Sequence, residues 1–139
     1  MKLVAQEAPM GCAIACAASL SDLTYKKMRS HFSNGRLKEY TVGFYNKDIV
    51  SALSKVNIIT KGCSSKRWSQ KKYLPGTIVF IKRSKKYSQG HFLLKTPRGW
   101  MNPWANYPSI NPAKAAFQRR LPGETEWVIV TKKDPKAKV

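Results

Sequence analysis

The stretch Cys12-Ala13-Ile14-Ala15-Cys16-Ala17-Ala18-Ser19-Leu20 constrains this chain more than any other part of it. Its side chains are small and apolar on every side. A helix formed here has no polar face to turn to water and must be buried all round. Pro9 and Gly11 interrupt regular structure just ahead of it, so the spacing predicts a helix over Gly11 to Leu23.

Two further helices are expected. One covers Tyr25 to His31, with Thr24 as N-cap and Asn34-Gly35 as its stop. The other covers Lys47 to Val56 behind an Asn46 cap, where Ile49, Val50, Leu53 and Val56 recur at helical spacing. After that the character changes. Thr77 to Ile81 is rich in β-branched residues and follows Pro75-Gly76, which reads as a strand start. His91 to Lys95 reads as a second strand. A Thr96-Pro97-Arg98-Gly99 turn leads to a third strand, Trp100 to Trp104, and Trp127 to Thr131 closes the sheet. Helices first and an antiparallel sheet after them make an α+β domain. Its expected extent is residues 1–131, with 132–139 as a basic frayed tail.

Charge narrows the partners. The chain carries 26 Lys+Arg against 7 Asp+Glu, a formal net charge of +19. A balance of that size attracts polyanions. Between Lys55 and Arg98 stand Lys61, Lys66, Arg67, Lys71, Lys72, Lys82, Arg83, Lys85, Lys86, Lys95 and Arg98, interleaved with Trp68, Tyr73 and Tyr87. Cations among aromatics suit phosphate contacts and base stacking, though such aromatics serve equally well as core or cleft wall. No stretch approaches the roughly 18 apolar residues that span a bilayer, and the N-terminal apolar run is too short for a signal peptide. A cytoplasmic protein, or a domain delivered from a secreted bacterial protein, is expected. Three cysteines form an odd set, which argues for a free thiol and a reducing compartment.

Cys12 stands where the buried helix begins. The positive end of the helix dipole there is expected to lower the thiol pKa, and an imidazole partner would form a cysteine–histidine pair. There are two histidines. His31 ends the second helix and reads as a dipole partner, whereas His91 opens an apolar strand and is the better candidate. If Pro97 and Arg98 form a two-residue connection, Leu93 pairs with Asn102. His91 and Asn102 then become diagonal neighbours on one face, about 7–8 Å apart, so that the amide can orient the ring. Gln6, six residues ahead of Cys12, is placed to donate to an oxyanion beside the Cys12 backbone N–H. Cys16, one turn from Cys12, reads as core. With Cys63 and two scattered histidines as the other ligands, zinc spacing is absent and neither metal nor cofactor is expected.

Taken together, Gln6-Glu7-Ala8-Pro9-Met10-Gly11-Cys12-Ala13-Ile14-Ala15-Cys16 resembles the nucleophile motif of the bacterial leader peptidases. That family includes the double-glycine peptidase domains of bacteriocin-exporting transporters and related stand-alone papain-like domains. Gly90-His91-Phe92-Leu93-Leu94 looks like its histidine strand and Met101-Asn102-Pro103-Trp104 like its orienting motif. The resemblance runs from about Leu3 to Trp104 in the family's order. It implies a papain-like fold with Cys12 as nucleophile, His91 as base, Asn102 as orienter and Gln6 as oxyanion donor. Two departures stand out: Asn102-Pro103 where the family usually has Asp-Pro, and Ala13 where it usually has glycine after the nucleophile.

Three functions follow as expectations. The first is a thiol peptidase that hydrolyses a peptide or amide bond through a Cys12 thioester, with deamidase or transamidase as variants and a bacterial toxin as one setting. The second is a nucleic-acid-binding or nuclease-type module. The third is an inactive relative serving as an interaction module. Expected partners are a peptide or protein substrate, and a nucleic acid or an acidic protein such as an immunity protein on the basic surface.

Overall fold

The computed structural model describes residues 1–68 and 72–132. Lys71 and the expected tail beyond Lys132 lie outside the described residues. The chain forms helices α1 (Cys12–Ser21), α2 (Tyr25–Arg29), α3 (Gly35–Lys38) and α4 (Asn46–Ser54). Six strands follow: β1 (Thr60–Ser64), β2 (Ile78–Ile81), β3 (His91–Thr96), β4 (Gly99–Asn102), β5 (Ala116–Gln118) and β6 (Thr125–Thr131). They make one antiparallel sheet in the order β1-β6-β2-β3-β4-β5. The α+β class is as expected.

Helix α1 is enclosed, as its composition demands. Ala13 through Ser19 are all buried. Ile14 and its neighbours pack with Met28, Ile49 and Leu53 from the other helices and with Ile78, Leu94, Met101 and Ile129 from the sheet. The opposite sheet face carries a second cluster of Val79, Ile81, Leu93, Trp100 and Val128, with Tyr87 buried among them and Trp68 and Tyr73 against them. Covering on both faces explains why Thr77–Ile81 and His91–Leu94 read as unbroken apolar runs rather than alternating ones.

Several expected boundaries are corrected. Helix α2 ends at Arg29, and Asn34, in the left-handed region at φ 54°, leads into the short helix α3 instead of a plain turn. Thr24 does cap α2, accepting from the Lys27 N–H at 3.2 Å. At α4 the cap position is Tyr45 rather than Asn46, because the Asp48 carboxylate reaches back to the Tyr45 N–H at 2.7 Å. Strand β4 stops at Asn102, not Trp104, since Pro103 has no N–H and the Trp104 N–H is taken by Asn102 Oδ1 at 2.9 Å. Strand β6 does not close the sheet; it lies between β1 and β2. The edge strands β1 and β5 are additions to the expected set, because Thr-Lys-Gly-Cys-Ser and Ala-Phe-Gln carry little strand signal of their own.

Candidate active site

The β3–β4 hairpin does most of the positioning. Its register, Thr96 opposite Gly99 and Leu94 opposite Met101, continues to place Leu93 opposite Asn102, as the two-residue connection requires. Strand alternation then puts His91 on the face of Leu93, and Asn102 on that of Trp100. His91 Nε2 lies 2.7 Å from Asn102 Oδ1. Donor and acceptor roles follow from the neighbours. The Trp104 N–H can only donate, so the atom it meets is the amide oxygen. The imidazole proton therefore sits on Nε2, and the lone pair is left on Nδ1. Asn102 Nδ2 donates to the Tyr87 hydroxyl at 3.0 Å and to Gln118 Oε1 at 3.1 Å, while the Tyr87 hydroxyl donates to the Trp104 carbonyl at 3.1 Å. All four hydrogen-bonding positions of a fully buried asparagine are filled.

Tyr87 and Gln118 escape a reading of the sequence as site residues. Tyr87 stacks on the His91 ring with centroids 4.2 Å apart and planes within 3°. Its only sequence signal is its place among the basic residues, which points elsewhere. Gln118 has no signal, because nothing in the residues around it marks β5 as a strand.

Cys12 opens α1 at the end of a closely held loop. The Met10 N–H donates to the Glu39 carbonyl at 2.8 Å and the Gly11 N–H to the Ala8 carbonyl at 3.0 Å. Gly11 must be glycine, since a Cβ there would collide with the Tyr25 hydroxyl. That hydroxyl donates to the buried Glu39 carboxylate at 3.0 Å, which is also paired with Arg29 at 3.0 Å. Backbone N–H groups near the Cys12 sulfur, first among them that of Phe92, the residue after His91, favour the thiolate. Even so, burial outweighs those donors and pushes the thiol up to about 11. The expected depression by the helix dipole is corrected: desolvation of a thiolate costs more here than the N–H groups return. Burial also lowers His91, to about 4, partly offset by the Asn102 bond, with nearby Lys86 adding to the decrease. Thiol and imidazole both rest neutral near pH 7.

Cys12 and His91 line one cleft of about 1360 Å³, together with Phe80, Gly90, Trp104 and Trp127. Gln6 is buried, with its backbone N–H on the Pro103 carbonyl at 3.2 Å. Its amide nitrogen donates to the Ala8 and Pro9 carbonyls at 2.9 and 3.1 Å, and its Oε1 has no partner among the described residues. Gln6 is not among the residues that line the cleft, and both of its amide protons are engaged, whereas the expected oxyanion donor needs one free. Cys16 is a core residue. Among the described residues no three His, Cys, Asp or Glu side chains gather in a metal-binding group.

Gly90 gives this site a sharp test. At φ 76° it precedes His91, and an added Cβ would strike the Phe80 ring and come within 2.9 Å of the Ile81 carbonyl. Gly90→Ala is expected to destabilise the fold by about 2 kcal/mol in urea unfolding, from the left-handed backbone and the overlap together.

Set against known proteins, the chain matches no family model, no curated protein and no solved structure. What it does must be argued from the site. No helix among the described residues is long and apolar enough to cross a membrane.

Proposed function

We propose that this protein is a cysteine-nucleophile acyl-transfer enzyme of papain-like type, a thiol peptidase by default, as the resemblance to the leader peptidases implies. The observation that carries this reading is the His91–Asn102 bond of 2.7 Å, with the proton assigned to Nε2 and Nδ1 left as a base, in the cleft that Cys12 also lines. An amide locked from four sides serves to hold one imidazole tautomer and orientation.

In the reaction, His91 Nδ1 takes the Cys12 proton as the sulfur attacks the substrate carbonyl carbon. The carbonyl electron pair moves to oxygen, which the Cys12 N–H receives, joined by Gln6 once it exchanges one of its carbonyl partners. The imidazolium, still held by Asn102, gives its proton to the leaving nitrogen as the C–N bond breaks. Water then gives a proton to His91 as its oxygen attacks the thioester carbon, the C–S bond breaks, and the imidazolium returns that proton to the Cys12 sulfur. Because both groups rest neutral, the proton moves during attack and not before it. The same steps hydrolyse a glutamine side-chain amide.

The test is alkylation by iodoacetamide between about pH 4 and pH 9, with mass mapping of each cysteine. Cys12 is expected to outrun half-buried Cys63 at neutral pH, with a rate that rises through about pH 4 as His91 loses its proton and then levels off. A Cys12 rate no greater than that of Cys63, still climbing toward the thiol pKa of about 11, overturns the reading.

A further inference from the structure

Positive charge edges the cleft from two separate elements. Lys47 lies in the first turn of α4, and Lys82 and Arg83 begin the β2–β3 connection; all three line the cleft and are exposed. Exposed Lys85 and Lys86 continue that connection. Against them stands a single lining carboxylate, Glu126. Lys82 is paired with Glu124 at 3.2 Å, whereas Lys47 and Arg83 meet no carboxylate among the described residues. Unneutralised cations lining a cleft focus the field into it. The same cleft has apolar side chains open to water, with Val42, Tyr45 and Trp127 exposed to 76%, 74% and 40%.

We infer that the cleft takes an acidic polypeptide as its substrate, with carboxylates against Lys47 and Arg83 and apolar side chains against Val42, Tyr45 and Trp127. The inference rests on the acyl-transfer reading for its chemistry, since the polyanion must bring a carbonyl carbon to Cys12. A polypeptide has one at every residue, and a nucleic-acid backbone has none. The three aromatics within the basic stretch are also engaged with other rings of the fold. Trp68 stacks on Tyr73 at 5.7 Å, Tyr73 meets Trp100 edge-on at 5.3 Å, and Tyr87 is covered by His91.

The experiment measures protection of Cys12 from iodoacetamide by a random glutamate–tyrosine copolymer, with Cys63 as internal reference and oligothymidylate of matched charge as the competing polyanion. The copolymer is expected to slow Cys12 and not Cys63 at low salt, with the effect lost at high salt. The double variant Lys47→Glu/Arg83→Glu is expected to need about tenfold more copolymer for half protection. The variant Lys26→Glu/Lys27→Glu makes the same charge change on exposed α2 positions outside the cleft and is expected to stay within about twofold of wild type. Equal loss in both variants would reduce the effect to net charge and overturn the inference. So would protection by oligothymidylate at the same or lower concentration, or no protection by the copolymer. Failure of the acyl-transfer reading is seen separately, in the copolymer-free rates of Cys12 and Cys63.

Discussion

Alanine at His91 is expected to slow alkylation of Cys12 at neutral pH about a thousandfold, because it removes the base of the proposed mechanism. Alanine at Asn102 is expected to lose a large part of the same factor and to destabilise the fold by about 4 kcal/mol. The side chain is fully buried and joins His91, Trp104, Tyr87 and Gln118. Removing it strands two buried N–H donors and frees the ring to turn. The informative variant is Asn102→Asp. A carboxylate accepts from both the His91 and Trp104 N–H groups, and the Tyr87 hydroxyl can turn to donate to it. Its charge favours the imidazolium, so the acid limb of the Cys12 rate is expected to move upward from about pH 4 while the rate at neutral pH is largely kept. Wild-type rates and an unchanged pH profile in Asn102→Ala would sink the orienting role. Unfolding in urea, measured on the same proteins, separates loss of fold from loss of chemistry.

Acid is expected to weaken this fold by about 3 kcal/mol through His91 alone. In the folded protein the imidazole titrates at about 4, against 6.5 as its ordinary value. Above pH 6.5 it is neutral in both states and takes nothing from stability. As pH falls from there toward 4, the unfolded chain gains the proton first, and each unit removes about 1.4 kcal/mol. Below about 4 both states are protonated and this loss stops growing. Urea unfolding at pH 7 and pH 4 checks it, with His91→Gln as reference. Wild type should lose about 3 kcal/mol more than the variant across that interval. Equal losses would mean that His91 is not held neutral by burial.

How much of this molecule is legible in its residues depends on how local each feature is. The enclosed helix is legible, since nine consecutive positions from Cys12 to Leu20 leave no polar face. So are the order of helices ahead of the sheet and the β3–β4 hairpin. Thr96-Pro97-Arg98-Gly99 announces its own turn, and strand alternation carries the register from there to His91 and Asn102. The sequence by itself thus determined the class of the fold and the pairing of His91 with Asn102. Only the tertiary structure decided the rest. The edges β1 and β5 exist because β6 and β4 offer them partners, not because their own residues favour strands. Tyr87 and Gln118 reach Asn102 from 15 and 16 residues away, through backbone that no short pattern encodes. Gln6 spends its amide protons on Ala8 and Pro9. The thiol of Cys12 rises instead of falling because its pKa balances donors against desolvation. A helix start can be read from the residues beside it, whereas desolvation is set by everything the fold brings around the sulfur.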